Sequence, residues 1–185
     1  MRTRLLAAVL AGSVALTACG SAEDTPLTDA QGQWVDAFCN GVLPGMEAGF
    51  ELRKQDAANP AAVKAAYLRL VTANATAFGA AEKKLTELGT PEKDLQQVHE
   101  RLLKFVQQSA KSYQDAQAPV EKLEPNAQFW DEAEKILAEK NQVSSPEDLR
   151  ATFQDLQKRP KYADALNKSQ PCAEIKSKGQ GLVTG

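Results

Sequence analysis

The sequence predicts an all-α fold, a four- or five-helix bundle built on a long antiparallel helical hairpin and closed by one disulfide. Three observations predict it. From Thr28 onward the apolar residues recur at spacings of three and four and almost nowhere at two, which is the period of a helix. Two long periodic stretches are separated only by Gly89, so they must fold back on each other. Cys39 and Cys172 stand near the two ends of the periodic region.

The elements follow in order. Thr28 with Gln31 three residues later makes a capping box, after which Trp34, Val35, Phe38, Cys39 and Val42 share one helical face. Pro44 and Gly45 are expected to interrupt or end this helix, with Met46, Phe50 and Leu52 in a further turn and residues 54–59 in a loop. Asn59 as N-cap and Pro60 at the first helical position open the second helix, and Gly89 is placed to close it. Its stripe is Val63, Tyr67, Leu70, Asn74, Phe78, Ala81, Leu85 and Leu88. Thr90 and Pro91 repeat the opening signal for a third helix with the seam Leu95, Val98, Leu102, Val106, Ser109, Tyr113, Ala116, Val120 and Leu123.

Pro125 and Asn126 set off a shorter helix bearing Phe129, Trp130, Ala133, Ile136 and Leu137. Ser145 and Pro146 start another, with Leu149, Phe153 and Leu156 inward and Pro160 as its end. Residues 162–166 read as one extra turn, residues 169–175 as the segment holding Cys172, and the chain from Lys176 onward as frayed. The short helices must pack on the hairpin, because alone they are below the length at which helices persist in water. Apart from alanine richness in the second helix, there is no low-complexity segment and no internal repeat.

The beginning of the chain has a different character. Arg2 and Arg4 precede an uncharged apolar run over residues 5–16 and then small residues up to Cys19, the order of a secretory signal peptide. The run is too short to span a bilayer, which takes about 20 apolar residues. Leu16, Thr17, Ala18 and Cys19 resemble the lipobox of bacterial lipoproteins. That resemblance implies cleavage before Cys19 and a diacylglycerol on its sulfur, with fatty acid such as palmitate as membrane anchor; the alternative is an ordinary secreted protein with a chance cysteine there. The expected organisation is a signal peptide over 1–18, a lipidated cysteine and polar tether over 19–27, a helical domain over 28–178 and a frayed tail over 179–185. Localisation follows: the cell membrane, lipid-anchored, on the extracytoplasmic side.

Losing Arg2 and Arg4 from 22 leaves 20 Lys and Arg against 24 Asp and Glu, a formal charge of −4 on the mature chain. No basic footprint for nucleic acid is present. With Cys19 spent on lipid, Cys39 and Cys172 are an even pair in a compartment where disulfides persist, which suggests one bridge; two free thiols are the alternative.

Taken together, the lipobox, the early Trp34, Phe38 and Cys39, the Ala-rich hairpin, and the late run from Tyr162 through Ala163, Asp164, Ala165 and Leu166 to Pro171 and Cys172 resemble a group of small actinobacterial exported proteins and lipoproteins. Those proteins share an early and a late cysteine around helices. The resemblance implies the helical fold and the bridge, and it brings no catalytic residues.

The inventory for chemistry is thin. His99 is the only histidine, and the residue three before it is Gln96, so the Glu-x-x-His pair of di-iron bundles is missing. It reads as a half-buried helix residue, and a zinc site or a haem held by Met46 and His99 has little to recommend it. Asp131, Glu132 and Glu134 read as a solvated helix face. Asn74 and Ser109 are polar at seam positions, so they either bond across the hairpin or line a small cavity. Trp34 and Trp130 read as core, with exposure as a binding anchor the alternative. No nucleophile elbow, phosphate loop or calcium loop occurs. The expectation is a protein that is not an enzyme, with no metal, no cofactor and no catalytic residue. It is expected to act as an interaction module whose partners are the bilayer, through Cys19, and another envelope protein. The alternatives are a carrier of a lipid or other apolar ligand inside the bundle and, behind it, a hydrolase with a carboxylate site.

Overall fold

A computed structural model describes residues 27–141 and 146–181, so the expected signal peptide, Cys19 and nearly all of the tether lie outside the described residues. Within them the chain forms seven α-helices and no strand. These are α1 (Asp29–Arg53), α2 (Pro60–Leu88), α3 (Gln96–Glu121), α4 (Phe129–Lys140), α5 (Pro146–Gln157), α6 (Pro160–Lys168) and α7 (Gln170–Gly181), with a 3-10 turn at Lys93–Leu95 before α3. Five of them answer to the helices expected from the sequence. The other two, α6 and α7, are the segments read as an extra turn and as the cysteine-bearing stretch. Helix α7 runs through residues 176–181, which were expected to fray, because the bond from Cys172 to Cys39 and a Lys178–Glu47 ion pair hold it along α1.

The first three helices run antiparallel in sequence order. Gly41 lies against Ala81 and Gly45 against Asn74 across α1 and α2, while Gln117 donates to Thr72 and Phe78 meets Phe105 and Tyr113 across α2 and α3. Helices α5, α6 and α7 close the lower half against α1 and α3, and α4 lies across α2 and α3 at the upper end. Two cores result. The lower holds Trp34, Phe38, Phe78, Leu102 and Tyr162 around the disulfide, and the upper holds Leu52, Val63, Tyr67, Val120 and Phe129. Tyr113 packs on both.

Local signals explain most of the boundaries. The Thr28–Gln31 capping box forms in both directions, and Asn59 accepts from the Ala62 N–H with Pro60 following. Gly89 ends α2 with φ +66°, a left-handed backbone that only glycine takes at no cost. Lys64 reaches across from α2 to donate to the Glu121 and Leu123 carbonyls, capping the last turn of α3.

Two boundaries differ from expectation. Helix α1 passes through Pro44 without a break. An interior proline costs about 3 kcal/mol, but here the carbonyl it strips of a donor belongs to exposed Asn40, on the solvent side of α1. The helix is meanwhile held by Trp34, Val35 and Phe38 below and Leu52 above. Gly45 is a contact rather than a stop: the missing Cβ makes room for the Asn74 amide, whose Nδ2 donates to the Leu70 carbonyl of its own helix at 2.9 Å. Asn74 is thus satisfied within α2, and Ser109 is buried on α3.

The second difference is that Thr90 and Pro91 do not open α3, which starts at Gln96. Glu92 is pulled into an extended conformation, where its carboxylate accepts from Gln31 in the first turn of α1 and pairs with Lys161 of α6. Asp94 pairs with Arg159 beside it. The segment over 90–95 is therefore a clasp that joins the start of α1 to the C-terminal helices, and the helix waits until that is done.

The close approach of α1 to α2 yields a first prediction. A Cβ on Gly45 would stand 1.9 Å from Asn74 Oδ1, and one on Gly41 2.7 Å from the Ala81 Cβ. Gly45→Ala is expected to lower stability by roughly 1–3 kcal/mol, as overpacking does. Pairing it with Asn74→Ala should recover much of that loss in a double-mutant cycle read by urea unfolding. Additive losses would mean that the two residues do not meet.

Candidate functional site

At the upper end of the bundle, the loop after α1 and the connection from α3 to α4 bring Arg53, Gln55 and Asn126 around an apolar floor. The floor is Leu52, Val63 and Phe129, and the pocket is about 240 Å³. Trp130 stands on its rim. Sequence reading places this tryptophan in the core; it is instead 43% exposed, the one exposed large hydrophobic side chain among the described residues, whereas Trp34 is buried as expected. The cause is geometry: Phe129 and Ala133 take the inward stripe of α4, and the next residue along is turned to its edge.

Trp130 is nonetheless held. Its ring meets Tyr67 edge-on at 5.9 Å, and Tyr67 meets Phe129 with the same geometry. The Tyr67 hydroxyl donates to Glu134 at 3.1 Å. Burial, reinforced by the Glu134 charge, pushes the phenol well above its ordinary range, so it stays a donor. Of the acidic cluster read from sequence, Glu134 is thereby used to fix Tyr67, and Asp131 and Glu132 remain in the exposed first turn of α4. Arg53 makes no ion pair among the described residues; its guanidinium lies 5.9 Å from the Phe50 ring centroid.

A second concavity runs along the flank between α1 and α2. It is about 690 Å³, open to solvent, and lined by Pro44, Ala48, Leu68, Ala73 and Ala77, with Asn40, Arg69, Thr72 and Thr76 as its polar residues. It is a surface groove, not the interior cavity that a carrier reading calls for.

The remaining singled-out residues fall elsewhere. His99 is buried more fully than expected, at 6% exposure, and its Nδ1 accepts a 3.0 Å hydrogen bond from Trp34 Nε1. Burial lowers its pKa from the ordinary imidazole value, with Glu100 opposing. The nitrogen a metal would need is therefore engaged. Met46 lies twelve residues along α1 from Trp34, roughly 18 Å at helical rise, so it does not face His99. Next to this pair the Tyr162 hydroxyl is buried without a well-formed hydrogen bond among the described residues, and burial, together with the Glu92 carboxylate close to it and Asp94 beyond, raises its pKa. Among the described residues, no group of three or more His, Cys, Asp or Glu side chains is arranged to hold a metal, and no helix is long and apolar enough to cross a membrane. Cys39 and Cys172 are bonded to each other, joining α1 to α7.

Comparison with protein-family models, with curated proteins and with solved structures found no match.

Proposed function

We propose that the chain is a lipid-anchored lipoprotein on the extracytoplasmic side of the cell membrane, whose helical body is a non-enzymatic module that docks another envelope protein. The observation that carries this reading is the position of Trp130, an exposed indole fixed by Tyr67 at the rim of a small apolar pocket. Tryptophan in such a setting is the side chain most enriched at binding hot spots. Its place relative to the anchor supports the same reading. Leu27, where the tether joins the body, packs on the lower core, and Arg53 at the other end of α1 lines the pocket. Twenty-five residues of helix separate them, about 37 Å at helical rise. The body thus carries its exposed tryptophan away from the bilayer while the anchor raises the local concentration of any membrane-bound partner.

A fatty-acid probe fed to cells is expected to label the wild type and leave Cys19→Ala unlabelled. Crosslinking is expected to recover a specific envelope protein with the anchored form and much less of it with the released variant. Equal labelling of both forms would refute the anchor, and equal recovery would refute its role. A second reading, a carrier of an apolar ligand, would have to use the open groove between α1 and α2 in place of the bundle interior. A stoichiometric lipid on the purified protein in native mass spectrometry would put that reading first.

A further inference from the structure

Resting on the docking reading, we infer that the pocket at the tip takes one apolar side chain of a polypeptide segment that places a carboxylate beside Arg53. At about 240 Å³ the pocket is below the size that encloses a whole small-molecule ligand, and it suits a single anchoring side chain. Its floor of Leu52, Val63 and Phe129 is apolar, and the Trp130 ring on its rim offers an open face. Arg53 is the only charged residue in the lining, and it makes no ion pair among the described residues. A guanidinium so placed favours a carboxylate, which it can bind through two parallel N–H donors.

The helix that supplies Trp130 carries the other sign. Asp131 and Glu132 stand in the exposed first turn of α4 next to Trp130. The segment that fits therefore carries its carboxylate on the α1 side of the apolar anchor and a neutral or basic residue on the α4 side. The same pair of acids argues against an anionic membrane surface, which is drawn to clusters of several basic residues. The 37 Å or so between tether and tip argues against it too.

The test uses the full-length protein in nanodiscs of neutral lipid, with the indole N–H signals of Trp34 and Trp130 followed by NMR. The probes are three capped tripeptides, Lys-Phe-Asp, Lys-Phe-Asn and Asp-Phe-Asp, and vesicles containing phosphatidylglycerol. Lys-Phe-Asp is expected to move the Trp130 signal and leave Trp34 in place. Lys-Phe-Asn, which lacks the carboxylate, and Asp-Phe-Asp, which sets a second one toward Asp131 and Glu132, are expected to bind roughly tenfold more weakly, the scale of one charge-assisted contact. Arg53→Gln should erase the difference between the Asp and Asn peptides, with an unchanged Trp34 signal reporting an intact fold. Equal response to all three peptides, a preference that survives Arg53→Gln, or a Trp130 response to the vesicles alone would overturn the inference. If partner crosslinking is lost with Trp130→Ala but kept with Arg53→Gln, the assigned chemistry fails and the docking reading stands.

Discussion

Reduction of the Cys39–Cys172 bond is expected to lower the melting temperature by as much as the most costly single truncation in the core. The bond joins residues 133 apart in sequence and ties α7 to α1. Constraining so long a loop in the unfolded chain contributes, at the upper limit of the chain-entropy account, about 5 kcal/mol. For a chain of this size each kcal/mol moves the midpoint by about 2–4 °C, so the upper limit is a fall of about 10–20 °C. The effect should also be uneven. Helices α5, α6 and α7 have 12, 9 and 12 residues, too few to persist undocked. The reduced protein, or the Cys39→Ser and Cys172→Ser double variant, should therefore lose amide-exchange protection in α5–α7 before it does in α2 and α3. An unchanged midpoint after complete reduction would contradict this account of how the lower core is closed.

Mild acid is the second condition expected to weaken the fold strongly, and His99 is the cause. Its Nδ1 accepts from Trp34 Nε1 inside the lower core, so a proton placed there would leave two N–H groups facing each other. Burial holds its folded pKa below the ordinary 6.5, with the Glu100 charge opposing. The unfolded chain therefore takes up a proton near 6.5 that the folded chain resists. Stability that is fully present above that pH is lost as the pH falls toward the folded value, at about 1.4 kcal/mol per unit in between. The carboxylates held low by surface pairs, Glu51, Asp94 and Asp155, have ordinary values of 4.5 and 3.8, so the interval from pH 6.5 to 5 isolates the histidine.

His99→Asn, whose Oδ1 can stand in for Nδ1 as acceptor, is expected to flatten the pH dependence over that interval. His99→Phe should cost about 1–3 kcal/mol near neutral pH, because it buries the Trp34 N–H without a partner, and the gap to the wild type should narrow as the pH falls. Urea midpoints measured at half-unit steps settle the point. Parallel curves for the wild type and His99→Asn would remove His99 from the explanation.

Features set by a few neighbouring residues were legible in the sequence. The capping box at Thr28, the Asn59–Pro60 opening and the Gly89 stop each rest on side-chain or backbone chemistry within one turn, and each is found where the residues placed it. The pairing of Cys39 with Cys172 followed from counting. What local reading missed was decided by distant partners. Pro44 is carried through because packing on both sides outweighs its local cost. Thr90 and Pro91 carry the same signal as Asn59 and Pro60, yet Glu92 is held out of the helix by Gln31 and Lys161, 61 and 69 residues away.

The candidate site was hardest to read, because it depends on which of two adjacent aromatic residues, Phe129 or Trp130, takes the inward stripe of α4. The signal was present in the spacing: Phe129 lies four residues before Ala133, the small residue that lets α4 approach α2 and α3. Arg53 and Trp130 are 77 positions apart, and only the antiparallel return of α2 and α3 brings the two ends of the chain path together at one tip.

Photocrosslinking in intact cells tests the central claim most directly. A photoreactive amino acid would replace Trp130 at the tip or, in a parallel strain, Lys104 on the exposed face of α3. A discrete adduct with one envelope protein is expected from position 130 and not from position 104, and it should weaken when Cys19→Ala releases the anchor. Absence of any adduct at 130, or the same adducts from both positions, would contradict a docking tip held out from the membrane.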